Sequence, residues 1–314
     1  MSSVVRADEL TADQVTRVRA IVDAAWETDG VHPLSEQFLL RLRTGRSGAV
    51  HLLAGVDRPT GYAQLDPDDP AGTAAEVVVH PAHRRQGIGT ALVRAAAGTD
   101  PRLRVWAHGE LPAAAGLAAH LGYVRSRSLW RMRRPLTGPD VPDLPEPRLP
   151  PGVEVRAFRP GRDERAWLEV NARAFAHHPE QGRVSEADLL ERERSDWFAA
   201  DGFFLAFRGE RLVGFHWTKV EQGSEGEVYV LGVDPSEQGS GLGKALLLVG
   251  LRYLARPKLA LDAVTLYVEE DNEPAVALYR KLGFDHVGTD TMFRSAGTPG
   301  VAEFDVPTSG TSGR

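Results

Sequence analysis

The sequence predicts a mixed α/β fold, built twice. Three observations carry that reading: strand-like runs and helical periodicities follow one another in the same order in both halves, a proline-rich stretch separates the halves, and two glycine-containing segments lie over each other without a gap. The length of 314 residues suits two medium domains.

In the first half, apolar residues at helical spacing predict helices over 12–26 and 36–42, and extended apolar runs predict strands over 50–54, 61–65 and 75–79. A helix from residue 89, a strand over 103–107 and a helix over 113–120 follow. In the second half a strand is expected over 153–158, helices over 164–175 and 186–197, and strands over 203–207, 211–219 and 227–233. A helix then opens at Gly241, followed by a strand over 264–268, a helix over 274–282 and a last strand from Phe284. Residues 136–152 hold six prolines and no apolar periodicity, so they read as a stiff connector. The expected organisation is a first domain over 1–138, a linker over 139–151, a second domain over 152–297 and a flexible Gly/Ser/Thr/Pro-rich tail over 298–314.

Composition narrows the chemistry. A formal net charge of -6 and the lack of a long basic run argue against nucleic acid as a partner. With no cysteine there is no disulfide framework, no thiolate nucleophile and no sulfur-ligated metal. No signal-like apolar stretch opens the chain and no run of 18 apolar residues occurs, so a cytoplasmic protein without a membrane partner, and a monomer, is expected.

The repeat can be registered residue by residue. "VVVHPAHRRQGIGTALV" lies over "YVLGVDPSEQGSGLGKALL" with Val79 on Val233, Arg84 on Gln238, Gly87 on Gly241 and Gly89 on Gly243, a spacing of 154. Downstream, "LGY" at Leu121 lies over "LGF" at Leu282 at a spacing of 161, so the second half carries seven more residues between loop and helix. The loop is not a nucleotide-triphosphate motif: only three residues separate Gly239 from Gly243, and Ala245 stands where a magnesium-binding hydroxyl would be required. Nor does its G-x-G-x-G spacing meet the dinucleotide fingerprint. Glycines ahead of a helix do let backbone amides converge on an anion, with the positive end of the helix behind them.

The shared pattern, [Arg or Gln]-x-x-Gly-x-[Gly or Ala] directly after a strand ending in V-x-P, resembles the pyrophosphate loop of the GCN5-related N-acetyltransferase family, here in tandem. The resemblance implies acetyl-CoA as cosubstrate and no metal. It implies cofactor contacts from Val77, Val78, Val79, Arg84, Arg85, Gln86, Gly87, Ile88, Gly89 and Thr90 in the first half. In the second half it implies them from Leu231, Gly232, Val233, Gln238, Gly239, Ser240, Gly241, Leu242, Gly243 and Lys244, with Asn272 and Ala275 of the N-x-x-A-x-x-x-Y pattern.

Transfer to an amine needs a proton acceptor for the ammonium and a donor for the departing thiolate. Glu227 opens the strand "EVYVLGV", on one face with Tyr229 and Leu231 by the period-2 rule, and Tyr279 holds the position at which many of these enzymes carry the acid. In the first half Glu227 falls on Thr73, Tyr279 on Ala118 and Asn272 on Leu111, so one catalytic domain, the second, is expected. The histidines His177 and His178 point about 100° apart on a helix and have no spaced third ligand, which argues against a metal.

"HPEQG", "GFHWTK" and "LYVEEDNEPAVALYRKLGF" are similar to the members of this family that act in mycothiol synthesis. The implied acceptor is the cysteinyl amine of cysteinyl-glucosaminyl-inositol, with substrate contacts from Glu36, Glu180, Lys219, Glu227 and Tyr267. Two other readings stay open at this level: an acetyltransferase for an aminoglycoside or a protein amino terminus, and a non-enzymatic acetyl-CoA sensor. Retention of Glu227, Asn272 and Tyr279 in one half alone speaks against the sensor.

Overall fold

The computed structural model describes residues 3–44, 48–55, 58–67, 72–139, 141–176, 179–221 and 223–297. The chain forms two compact units, one made of Met1–Ser128 with Asp290–Arg314 and the other of Leu129–Thr289.

Unit 1 contains β1 (Val4–Ala7), α1 (Ala12–Asp29), α2 (Glu36–Thr44), β2 (Val50–Ala54), β3 (Gly61–Asp66), β4 (Ala74–Val79), α3 (Ile88–Ala97), β5 (Arg104–Ala107) and α4 (Pro112–His120). It also takes the first residues of β6 (Tyr123–Pro135) and the last of β12 (Asp285–Ser295). Its strands run in the order β1-β2-β3-β4-β5-β12, antiparallel except for the parallel pair β4–β5. Thr11 and Gln14 form a capping box that starts α1, and Gly30 ends it in the left-handed conformation at φ 69°. Val18, Ile21 and Val22 of α1 and Phe38 of α2 bury one face of the sheet against Tyr62 and Val78. Ile88, Leu92 and Ala96 of α3 bury the other face, against Leu52, Ala63, Leu65 and Ala75.

Unit 2 repeats the plan with β7 (Val153–Ala157), α5 (Glu164–Ala174), α6 (Pro179–Gly182), α7 (Glu186–Glu193), β8 (Phe203–Arg208), β9 (Arg211–Val220), β10 (Glu225–Val233), α8 (Leu242–Leu254), β11 (Ala263–Glu269) and α9 (Glu273–Lys281). Its strand order is β6-β11-β10-β9-β8-β7, again with one parallel pair, β10–β11. Under α5 lies an aromatic core in which Phe203 and Trp217 stack at 4.3 Å and Trp167 meets Trp217 edge-on at 5.7 Å. α8 buries nine residues, Leu242, Leu246, Leu247 and Leu251 among them, on the opposite face.

The units do not follow the expected boundaries, and β6 and β12 are the reason. Residues 129–135, expected in the first domain, pair with β11 of unit 2, and residues 291–294 pair with β5 of unit 1. No strand was expected at β6 because "YVRSRSLWRMRRP" alternates with arginine and serine instead of a clean apolar series. One of those arginines is structural: buried Arg134 donates to the carbonyl oxygens of Leu282, Pro135 and Pro142. The proline-rich stretch has neither helix nor strand over 141–150, and Arg252 donates to the Leu144 carbonyl at 2.8 Å. The tail over 298–314 lies outside the described residues.

Candidate functional site

In both units the parallel strands part midway. β10 and β11 pair from Glu225–Ala263 to Val228–Leu266, although β10 runs on to Val233 and β11 to Glu269. β4 and β5 pair only from Ala74–Arg104 to Glu76–Trp106, while β4 runs on to Val79. The edges of Val77–Val79 and Leu231–Val233 therefore have no register partner on that side, and each offers backbone amides and carbonyls to an extended ligand.

The glycine loops follow directly. Each begins with a 3-10 turn, Pro81–His83 or Pro235–Glu237, capped by the side chain of His80 or Asp234. Arg85 and Gly239 then turn left-handed at φ 63° and 78°, and Gly87 and Gly241 do so again at 80° and 85° as N-caps of α3 and α8. The spacing of 154 thus holds in conformation as well as in sequence. A Cβ built on Gly87, Gly239 or Gly241 meets nothing within 4 Å, so glycine serves backbone conformation and open space there rather than packing. The first intrahelical bonds run from Ala91 N to Gly87 O and from Ala245 N to Gly241 O, which leaves the preceding amides without a helix carbonyl. Such a cradle fits a pyrophosphate. Leu242 and Ile88 send their side chains into the cores and can offer only backbone.

Arg84 departs from expectation. Its guanidinium makes a bidentate pair with Asp29 at 2.8 and 2.7 Å, and its Nε donates to the Val79 carbonyl. It braces the loop against α1 rather than standing ready for a phosphate. Unit 2 makes the corresponding brace with the charges exchanged: Arg173 of α5 donates to Asp234 at 2.8 Å, and Gln238 holds the place of Arg84.

Glu227 pairs in register with Lys219 of β9 and with Thr265 of β11. The β9–β10 register then slips between Val228 and Val230, so Tyr229 is an inserted bulge residue. The bulge overturns two expectations. Leu231 does not share a face with Glu227: it packs toward Leu242 and Leu246, whereas Tyr229 packs with Trp197 and Trp217 on the α5 side. In addition, the counterpart of Glu227 shifts by one. Counting from Gly61–Val79 and Gly214–Val233, Lys219 corresponds to Asp66, whose partner is Ala74, not Thr73. Unit 1 still has no carboxylate at that position: its β3–β4 register runs without a bulge and sets Ala74 there. Thr73 instead donates its amide and hydroxyl to Asp100, both at 2.9 Å.

Around Glu227 the wall is aromatic and cationic. The Lys219 ammonium lies 5.0 Å from the Trp197 ring centroid and 5.4 Å from that of Tyr229, and it pairs with Glu221 at 2.8 Å. Arg192 of α7 donates from Nε to the Tyr229 hydroxyl at 2.8 Å. Sequence reasoning passed over Trp197 and Arg192, since no spacing marks them and only the bulge brings Tyr229 to them. On the other flank, Tyr279 of α9 is buried against Phe284, and burial pushes its phenol up to about 12. Asn272 is the N-cap of α9, accepting from the Ala275 amide at 3.2 Å, while its counterpart Leu111 caps α4 with no side-chain bond.

Of the other expected substrate residues, Tyr267 is exposed on β11 and Glu36 opens α2 in unit 1. Glu180 lies in α6, with its side chain outside the described set, and His177 and His178 also lie outside it.

Unit 1 carries a buried charge cluster where its strands part, which the sequence did not signal. Glu76 accepts from the Ser35 amide at 2.7 Å and forms an ion pair with His108 Nε2 at 3.3 Å, outside hydrogen-bond alignment. His108 Nδ1 donates to Asp290 at 2.8 Å, and Asp290 also accepts from the Gly109 amide. Burial alone would lower the imidazolium, but the Glu76 and Asp290 carboxylates outweigh it and push it up to about 10.

Parted strands closed by an amide-rich turn into a helix, present twice, define a tandem acetyltransferase of the GNAT type. The model of the acetyltransferase (GNAT) family matches residues 166–284, and that of an acetyltransferase (GNAT) domain matches residues 47–125. Mycothiol acetyltransferases from Thermobispora bispora and Thermomonospora curvata are each 54% identical to this chain; the first match covers 88% of this chain and 94% of the relative, the second 93% and 97%. The mycothiol acetyltransferase of Streptomyces coelicolor is 53% identical over 91% of this chain and 93% of its own. Among solved structures, a GCN5-related N-acetyltransferase from Sphaerobacter thermophilus aligns with a TM-score of 0.64 at 25% identity, covering 95% of this chain and 97% of that one. A tandem GNAT protein from the clavulanic acid biosynthesis pathway aligns with a TM-score of 0.69 at 21% identity, over 95% and 99% of the two chains, and shares the fold. The chain belongs to the mycothiol acetyltransferase family and is an acetyl-CoA-dependent N-acetyltransferase. No helix among the described residues is long and apolar enough to cross a membrane.

Proposed function

We propose that unit 2 acetylates the cysteinyl amine of cysteinyl-glucosaminyl-inositol, with Glu227 as general base and Tyr279 as general acid. The observation that carries this reading is an asymmetry: both units have parted strands and a glycine cradle, but the carboxylate where the strands of unit 1 part, Glu76, is buried against His108 and the Ser35 amide, whereas unit 2 has Glu227 in register with Lys219 and the buried phenol of Tyr279 on α9, where unit 1 has Ala118. The 54% identity to proteins named mycothiol acetyltransferase supports the acceptor.

Bound acetyl-CoA supplies the thioester acyl carbon. The backbone of Leu231–Val233 receives the pantetheine amides, and the amides of Gly239, Gly241, Gly243 and Lys244 receive the pyrophosphate, those of Ser240 and Leu242 donating to the Glu237 carbonyl and the Ser240 hydroxyl. Lys219 and Tyr267 contact acceptor hydroxyls. Glu227 takes the ammonium proton. An α-amine near pKa 8 costs roughly 1.4 kcal/mol to deprotonate at pH 7, against roughly 4.6 for a lysine amine, so a single carboxylate suffices. Tyr279 keeps its proton at neutral pH because its pKa is about 12, and gives it to the coenzyme A sulfur. In unit 1 the cradle serves binding without turnover, and the protein works as a cytoplasmic monomer.

The test is release of free coenzyme A with cysteinyl-glucosaminyl-inositol beside aminoglycosides and amino-terminal peptides. Release with the first alone is expected. Release only with the others would overturn the proposed acceptor.

A further inference from the structure

A lysine carries its charge on a flexible four-carbon stem, so an ammonium that is to meet an acceptor oxygen in one place has to be held there. In unit 2 aromatic rings hold it. The Lys219 ammonium lies 5.0 Å from the Trp197 ring centroid and 5.4 Å from that of Tyr229, and the two rings meet at 5.1 Å. Both rings pack on fully buried Trp217, at 5.6 and 5.3 Å, which fixes them to the aromatic core. The ion pair of Lys219 with Glu221 is a weaker restraint: the Glu221 side chain is 61% exposed, where solvent screens the pair and side-chain entropy opposes it.

Two further features point the same way. Tyr229 is the residue that the β10 bulge inserts beside the register pair Glu227–Lys219. Unit 1 has neither device at the matching positions: its β3–β4 register is unbroken, and Asp66, in the place of Lys219, pairs with Arg41 of α2 at 2.7 Å. The second feature is Arg192. Its Nε donates to the Tyr229 hydroxyl at 2.8 Å, while another nitrogen of the same guanidinium donates to the Asp188 carbonyl of α7 at 3.0 Å. The planar fork thereby ties the tyrosine ring to a helix that holds none of the residues proposed to touch acceptor or coenzyme.

We infer that Trp197 and Tyr229 are positioning residues for the acceptor, holding the Lys219 ammonium at the oxygen it binds, and that Arg192 acts on the acceptor through the Tyr229 hydroxyl. Both roles rest on the acceptor contact proposed above for Lys219.

Steady-state kinetics of the full chain with cysteinyl-glucosaminyl-inositol at saturating acetyl-CoA tests both links by double-mutant cycles. Trp197→Leu should raise acceptor KM by roughly 3- to 30-fold, the span that a cation–π contact covers, with a smaller change in kcat and an unchanged acetyl-CoA KM. In a Lys219→Met background the same change should do almost nothing, because the charge it held is gone. Trp197→Phe, a smaller ring, should act in the same way more weakly, and it stands in if Trp197→Leu does not fold. Arg192→Met should raise acceptor KM by roughly 2- to 10-fold in the native chain, the net worth of one hydrogen bond, and should add nothing beside Tyr229→Phe. A Trp197 that merely packs would cost the same with or without Lys219, so additive effects in that cycle, or an unchanged KM in the single variant, overturn the role of the rings. Additive effects of Arg192→Met and Tyr229→Phe, or no effect of the first, overturn the role of Arg192. Either result leaves the proposed function standing. An acceptor KM that Lys219→Met leaves unchanged overturns the Lys219 contact itself and the positioning with it.

Discussion

Glu227 and Lys219 face each other directly across β10 and β9, and the Lys219 ammonium is held over the rings of Trp197 and Tyr229. The lysine is 8% exposed at its side chain, so the wall beside the proposed base carries a fixed positive charge that solvent barely screens. Such a group binds acceptor oxygens and takes no proton. Lys219→Met should therefore raise KM for the acceptor at least tenfold with a smaller loss in kcat, the signature of lost ground-state binding. Steady-state kinetics with acetyl-CoA saturating separates the two parameters.

Tyr279 should behave as an acid that never titrates in the working range. With a phenol at about 12, the alkaline side of the pH–kcat profile should show no fall below pH 10 that Tyr279→Phe abolishes. The same variant should lower kcat by roughly 10²–10⁴, the usual worth of a positioned proton donor. Profiles of both proteins in one buffer series check the two statements together.

Asn272 ends a helix before it does anything else. Asn272→Ala removes the cap of α9 and should cost about 1 kcal/mol, while Asn272→Asp, which also caps, should cost little. Thermal melting at fixed pH distinguishes them. An equal loss in both variants would point to a role for the amide beyond capping.

The His108 cluster makes stability depend on pH in a definite direction. Its folded pKa of about 10 lies above the ordinary 6.5, so its contribution is fully present below pH 6.5 and is lost as pH rises through 10. Melting temperature should fall across that window. Glu76→Gln should lower stability at pH 6.5 and flatten the dependence above it, since the carboxylate that does most to hold the charge is gone.

Much of the fold was legible because period and punctuation agreed: the apolar runs of β2, β3 and β8–β11 and the left-handed glycines of both loops carry local signals. β6 was hidden by its arginines and serines, and although the last strand, β12, is expected from Phe284, no local window shows that residues 291–294 pair with β5 of unit 1, so the unit boundaries were missed. In the site, the family resemblance points to Glu227 and Tyr279, and the registration shows only that the first half lacks their counterparts. The bulge at Tyr229 was not legible, because inserting one residue leaves the sequence alignment gapless while it shifts the register by one and turns Leu231 to the other face. Arg84 shows the converse: a basic residue at a phosphate loop reads as an anion ligand until its distant partner, Asp29, is seen.

The measurement closest to the central claim is the rate of coenzyme A release with cysteinyl-glucosaminyl-inositol for the native chain, for Glu227→Gln, and for Ala74→Glu as the reciprocal change in unit 1. Turnover by the native chain, with a loss of roughly 10²–10⁴ in kcat for Glu227→Gln at unchanged acetyl-CoA KM, is the predicted result. Near-native kcat in Glu227→Gln would contradict the assignment of catalysis to unit 2 through this carboxylate.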